Sequence, residues 1–209
     1  MSTYETARIA VDPVIFTVRD KKLFVLLQER EKTPFQGFFE LPGGLLTNEE
    51  TAEEALKRKL TELFPEFKSH YFEQFFTFTA PDRDPRERTV SVGFITLIAA
   101  GIAHHDVKTS WHEVSSVKKM AFDHLAIVKQ ARELIQNRTD LSVAKHLLPK
   151  YFRLNEVQEM LEVIQDKKLD NRNFRRWALS SEALVETDKM STGTAFRPAK
   201  LYTFKNQRA

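Results

Sequence analysis

The 209-residue chain contains no cysteine, which excludes disulfides, thiolate zinc centres and cysteine nucleophiles. It has no apolar run approaching membrane-spanning length, and Met1-Ser2-Thr3-Tyr4-Glu5 lacks the basic and apolar regions of a signal peptide. A cytoplasmic protein with no membrane partner is the expectation. Internal repeats and low-complexity segments are also missing. Large net charge is absent too: the sum is +3. That small total is unevenly placed. Residues 139–209 carry 13 Lys and Arg against 9 Asp and Glu, and residues 171–209 carry 8 against 3. A near-neutral front and a basic tail suggest a small-molecule domain joined to an anion-binding one, with nucleic acid as the polyanion. Aromatic residues make up 11%, including 17 Phe, so core material is ample for one generous domain or two small ones.

The most informative stretch is Leu41-Pro42-Gly43-Gly44 leading into the acidic segment from Glu50 to Pro65. Gly44, Glu50, Arg58, Leu60 and Glu62 fall in the register of the Nudix box, a pyrophosphate-hydrolysing motif that this stretch resembles. Lys59 and Leu63 stand where that motif has glutamates, and Pro65 where it has glycine. In a helix, positions 59, 62 and 63 share one face. Three carboxylates there would suit Mg²⁺, a hard cation that takes oxygen ligands. Lys59, Glu62 and Leu63 change the nominal charge of the face from −3 to 0. An ammonium about 5 Å from a metal costs roughly 3 kcal/mol per unit of metal charge at an effective dielectric near 20. The site is therefore expected to hold no metal and to have no catalytic residue. An ordinary solvated helix face, with Glu54 and Arg58 as an i,i+4 pair, would explain the charges alone. A Pro-Gly-Gly turn before an acidic helix is the loop–helix context of the box, and the helix N-terminus there suits a diphosphate.

Strands are expected over residues 8–19, 23–27, 72–78 and 90–98, with a last strand and loop within 111–120. The box helix should run from about 50 to 64, ended by Pro65. Asp123 is placed as the cap of a helix reaching about Asn137, with Leu125, Val128, Leu134 and Ile135 on its apolar side. The polar Asn137-Arg138-Thr139-Asp140 is the domain boundary, dividing the chain into 1–138 and 139–209. Beyond it a short helix stops at Pro149; then Asn155 can cap one helix and Asp170, after a tight turn, a second. Residues 184–187 and 200–204 read as a hairpin turning at Met190 to Thr194. Two helices with a tight turn followed by a hairpin suit a winged helix-turn-helix domain. In its second helix Phe174, Trp177 and Ala178 should face the core. Asn171, Arg172, Asn173, Arg175 and Arg176 can face a DNA groove, with Arg197 and Lys200 adding charge at the wing.

A degenerate Nudix domain followed by a winged helix resembles the Nudix-related transcriptional regulators, the repressor family of NAD metabolism. Arg83-Asp84-Pro85-Arg86, Ala121-Phe122-Asp123-His124 and Arg197-Pro198-Ala199-Lys200-Leu201-Tyr202 carry the likeness further along the chain. The resemblance implies an α/β fold, a Nudix-like α/β/α sandwich with a mixed sheet, and a C-terminal winged helix. It implies a homodimer on two-fold-related operator DNA, released when ADP-ribose or a related nucleotide sugar occupies the Nudix pocket. ADP-ribose is then an effector, with no cofactor implied. Phe39, Gly43, Gly44, Arg58, Glu62, Arg83 and Arg86 are the corresponding effector-site candidates, while His124 is at least as well explained by packing. Three alternatives remain open: a live ADP-ribose-type hydrolase, a sugar-responsive regulator of the same architecture, and a module binding nucleic acid or protein without sequence preference.

Overall fold

The structure is a computed structural model that describes residues 6–66, 71–102, 104, 108–191 and 198–205. Arg197 and the 192–194 part of the hairpin turn lie outside the described residues.

Strand β1 (Arg8–Arg19) is the centre of the sheet. It pairs antiparallel with β2 (Lys22–Glu29) and parallel with β6 (Thr89–Leu97), and β6 pairs antiparallel with β5 (Tyr71–Phe78). The short β3 (Phe39–Glu40) and β7 (Thr109–Glu113) add to β2, and β4 (Gly44–Leu45) adds to β1. One parallel pair among antiparallel ones makes the sheet mixed. A central strand covered on both faces reads as a continuous apolar run. In β1 that run is broken by Asp12, itself buried.

One face of the sheet is covered by α1 (Ala52–Leu63), the box helix. Thr51 caps it: its Oγ1 accepts the Glu54 N–H at 3.3 Å, and the Glu54 carboxylate accepts the Thr51 N–H at 2.8 Å, a capping box. Ala55, Leu56, Leu60 and Leu63 face inward onto Val11, Ile15, Leu26 and Phe94. The helix stops at the expected place, because Pro65 has no N–H to continue it.

The opposite face is covered by α2 (His124–Gln136), whose Ile127, Val128, Ala131 and Ile135 pack on Val14, Phe16 and Val25. That buried layer continues without a break into the C-terminal region. There α3 (Ser142–Leu147), α4 (Leu154–Gln165) and α5 (Asn171–Ser180) precede the hairpin of β8 (Leu184–Met190) and β9 (Lys200–Phe204). Leu147, Phe152, Leu161, Phe174, Tyr202 and Phe204 belong to the same apolar cluster as the α2 contacts. This is a Nudix-like sandwich carrying a winged helix-turn-helix. No helix of the described residues is long and apolar enough to cross a membrane.

Four local expectations fail for identifiable reasons. Asp123 stands at the N-cap of α2 as expected, but its side chain makes no cap hydrogen bond, since its carboxylate is taken by Arg83. Leu134 is 41% exposed, because the core face of α2 is set by residues 127, 128, 131 and 135. Helix α4 starts one residue before Asn155, with Glu156 accepting the Arg153 N–H at 2.6 Å. Trp177 is 39% exposed while Phe174 and Ala178 are buried. At about 100° per residue, positions 174 and 178 lie about 40° apart, and 177 falls about 60° to the other side of 174. Its indole therefore packs at a tilt on Phe174, at 5.8 Å between ring centroids, and stays partly open to solvent.

Candidate functional site

The Pro-Gly-Gly turn is pressed onto β1. A Cβ on Gly43 would lie 2.2 Å from the Val11 carbonyl oxygen and 2.6 Å from Asp12 Oδ1, so only glycine fits. Gly44 is open on its outer side, its nearest neighbour being the Lys59 Cε, 3.9 Å from where a Cβ would stand. Two groups of charged side chains flank this pair of glycines.

The first belongs to α1. Arg58 donates to both oxygens of Glu50, at 2.6 and 3.0 Å, and lies 3.5 Å from Glu62 and from the Leu45 carbonyl. Arg58 holds the Glu50 carboxyl down at about 2, chiefly through these hydrogen bonds and then through the Thr47 N–H. The Glu54–Arg58 pair of the solvated-face alternative does not form, because Glu54 is committed to the cap. The Lys59 ammonium donates to Glu62 Oε2 at 2.8 Å, which lowers the Glu62 pKa. Leu63 is 2% exposed and belongs to the core, so it adds no ligand to this face. A cation of the chain's own occupies the reach of Glu62. The residues present do not make the anionic oxygen cage that Mg²⁺ takes. Among the described residues no group of three or more His, Cys, Asp or Glu could hold a metal ion. At the N-terminus of α1 the capping box takes up the N–H groups of Thr51 and Glu54.

The second group lies beneath and beside the turn. Arg83, buried, donates to Asp123 at 2.7 and 2.9 Å and to Asp12 at 3.3 Å. Ser91 Oγ donates to Asp12 at 2.5 Å, and the Leu41 N–H donates to His124 Nδ1 at 3.0 Å. His124 thus holds Nδ1 unprotonated, with Nε2 3.7 Å from Asp12. Arg86 differs. Its side chain is 47% exposed, braced by Asp84 at 2.7 and 2.9 Å, and its guanidinium lies 5.3 Å from the Phe122 ring centroid. Arg30, paired with Glu40 at 2.8 Å, lies 4.7 Å from the same centroid. Phe35 meets Phe122 edge-on at 4.9 Å.

The structure therefore gathers Gly44, Arg58 and Glu62 beside the turn, while Arg86 sits with Asp84 and Phe122. Gly43 and Arg83 form the layer underneath, joined through Asp12. Phe39 meets His112 at a tilt, 4.2 Å between ring centroids, and belongs to the wall of the α2 side. Asp12, Ser91, Arg30, Glu40 and Phe122 are not among the site candidates that the sequence supplied, although Phe122 lies in one of the segments that carry the family likeness. A charged residue inside the apolar run of β1 was a usable signal for Asp12. Nothing local announced Phe122, whose position depends on a φ of 52°.

In the C-terminal region, Asp170 caps α5 by accepting the Asn173 N–H at 2.8 Å. Asn171, Arg172, Asn173, Arg175 and Arg176 are all exposed on α5. Arg176 donates to Asn173 Oδ1 at 2.9 Å, and Gln158 of α4 donates to Asn171 Oδ1 at 2.7 Å, so two of the polar side chains are pre-positioned. On the wing, the Lys200 ammonium donates to Glu186 across the β8–β9 pair, which offsets its charge. Lys189 lies over the Tyr151 ring at 3.8 Å.

A box-bearing sandwich continuous with a winged helix whose second helix exposes arginine and asparagine defines a class: a DNA-binding regulator built on a Nudix domain. The NUDIX domain family matches residues 7–138, and the NrtR DNA-binding winged helix domain family matches residues 144–204. The chain is 32% identical to the "ADPR responsive transcriptional repressor NtrR" of Acinetobacter baylyi, over 99% of this chain and 85% of that protein. It superposes on Shewanella oneidensis NrtR complexed with a 27mer DNA at a TM-score of 0.81 and 33% identity, covering 94% and 93% of the two chains. The NUDIX domain of that same protein, complexed with ADP-ribose, matches at a TM-score of 0.56 and 33% identity, covering 63% of this chain and 90% of that one. The ADP-ribose pyrophosphatase of Methanocaldococcus jannaschii is 38% identical, over 58% of this chain and 70% of that protein. The chain belongs to the NrtR family of transcriptional regulators.

Proposed function

We propose that this protein is a repressor of NAD-metabolism genes that binds operator DNA as a homodimer and leaves it when ADP-ribose enters a Nudix domain that no longer hydrolyses. The observation that carries the receptor reading is the box itself: Lys59 donates to Glu62 at 2.8 Å and Leu63 is buried, which leaves the anionic metal site unbuilt. The likeness to a repressor described as ADPR-responsive, and to a NUDIX domain complexed with ADP-ribose, supports the choice of ligand. In this reading the diphosphate is held from the outer side of the Pro-Gly-Gly turn. Half-exposed Arg86 is the candidate cation of the 83–86 loop, and Gly44 leaves the backbone accessible. Arg58, Lys59 and Glu62 supply a neutralised rim where hydrolases place a metal. Arg83 acts underneath, by fixing Asp12 and Asp123. On the DNA side, Arg172, Arg175 and Arg176 are the contacts of α5, with the asparagines beside them.

The test is a fluorescence-anisotropy titration on operator DNA selected by the purified protein, run with ADP-ribose and Mg²⁺ while chromatography follows the nucleotide. Loss of operator binding with intact ADP-ribose is the expected result. Release accompanied by AMP and ribose phosphate would make the domain a working hydrolase. Undiminished operator binding at saturating ADP-ribose would refute the effector.

A further inference from the structure

Helix α2 touches both functional regions, one at each end. Its first residue, His124, accepts the N–H of Leu41 at 3.0 Å, immediately before Pro42-Gly43-Gly44. Asp123, just ahead of it, binds Arg83 of the 83–86 loop, and the Ala121 N–H donates to the Phe39 carbonyl at 2.8 Å. The segment entering α2 is therefore tied to the turn and to the loop that carries Arg86. At the other end, Arg132 Nη1 donates to the Ile164 carbonyl at 2.5 Å, and Gln136 Nε2 donates to the Gln165 carbonyl at 3.3 Å. Gln165 Nε2 returns a bond to the Arg138 carbonyl at 2.8 Å. Ile164 and Gln165 are the last two residues of α4, and their carbonyls are among those a helix cannot satisfy itself. The backbone then turns at Asp166 (φ 53°), and α5 begins at Asn171. A 13-residue helix is about 20 Å long and behaves as one stiff body. Between its ends, the described contacts that hold it to the sheet are the apolar ones of Ile127, Val128, Ala131 and Ile135, which permit sliding or tilting by small steps.

We infer that α2 is the element that couples the effector site to DNA binding, with His124 and Arg132 as its two positioning residues. This rests on the effector function proposed above. A ligand that shifts the Pro-Gly-Gly turn or the Arg83–Arg86 loop moves His124 and Asp123. The far end of the helix moves with them, and through Arg132 and Gln136 it re-aims the α4–α5 turn and the recognition helix. Neither residue touches the ligand or the DNA in this account. Their effect is on the factor by which one binding weakens the other. Other links between the two regions leave from different parts of the sheet: Lys21 meets Glu159 at 3.4 Å on the surface at the β1–β2 turn, His146 of α3 stacks on Tyr71 of β5 at 4.1 Å, and Arg138 is ion-paired with Glu73 of β5.

The experiment measures operator affinity with and without saturating ADP-ribose in the full-length protein and takes the ratio as the coupling factor, roughly 5- to 150-fold for a typical allosteric pair. In His124→Leu, which removes the acceptor for the Leu41 N–H, and in Arg132→Met, which removes the donor to Ile164, the ratio is expected to fall toward one. His124→Asn, with Oδ1 in place of Nδ1, and Arg132→Lys should recover it in part. Lys21→Ala should leave it at the wild-type value. Thermal melts and direct titration of ADP-ribose confirm that each variant folds and binds; should His124→Leu not fold, the Arg132 pair carries the test. Wild-type coupling in Arg132→Met, or an equal loss in Lys21→Ala, would overturn the role of α2. A wild-type ratio of one would instead remove the effector function itself.

Discussion

Replacing Arg83 by methionine separates two roles that its sequence context leaves mixed. A guanidinium free to meet a diphosphate could be lost with little effect on stability. The one observed is 4% exposed and bonded to both Asp123 and Asp12, the latter 6% exposed and also held by Ser91. Methionine fills similar space and leaves a buried carboxylate without its cation. Breaking a buried ion pair from one side costs about 3–5 kcal/mol, most of it the stranded charge. For a chain of this size each kcal/mol shifts the melting temperature by about 2–4 °C, so a drop of about 6–20 °C follows. Urea unfolding and calorimetry measure it directly. Adding Asp12→Asn should return a large part of the loss, because the stranded charge is then gone. A loss below about 1 kcal/mol, with a large fall in ADP-ribose affinity, would show Arg83 to be a ligand and refute its place in a structural layer.

Other consequences follow from the same geometry. Lys59→Glu sets a second carboxylate beside Glu62 and should create a Mg²⁺-dependent rise in melting temperature that the wild type lacks; an equal response in both proteins would contradict the account of the box. The Glu50 carboxyl should titrate at about 2 by carbon-13 NMR and return toward its ordinary 4.5 in Arg58→Ala. Because its folded pKa is depressed, its contribution to stability is present above 4.5 and is lost as pH falls from there toward 2. His146 stacks on Tyr71 at 4.1 Å, and its pKa is lowered by burial first and by Lys145 second. Folding should therefore weaken as pH drops below the usual 6.5, and His146→Phe should flatten that limb of the stability profile. Arg172→Ala should weaken operator binding and reduce the slope of log affinity against log salt by about 1; an unchanged slope would mean that it meets no phosphate.

Much of this architecture was legible because it is written in local terms. β1 is an apolar run bounded by charges, α1 has its cap and its terminating proline, and Asp170 with Phe174 and Ala178 marks the second helix of the winged domain. Spacing also exposed the altered positions of the box, since Lys59 and Leu63 can be counted from Gly44. What stayed hidden depends on contacts between distant segments. Asp123 looks like a cap until Arg83, 40 residues away in sequence, claims its carboxylate. Glu54 and Arg58 have ideal spacing, yet the cap draws off Glu54 and Glu50 captures Arg58. Arg83 and Arg86 are near-identical in sequence context, and only the fold buries one and exposes the other. Trp177 and Leu134 show the limit of counting apolar positions: each sits at the edge of a stripe whose width is set by the neighbouring helix.

The claim that joins these parts is linkage between the Nudix pocket and the winged helix, and linkage must be reciprocal. Isothermal titration of ADP-ribose into the free protein and into its operator complex measures the reverse arm. Operator DNA is expected to weaken ADP-ribose binding by the same factor by which ADP-ribose weakens operator binding. Equal affinity for the nucleotide in the free and DNA-bound protein would contradict it.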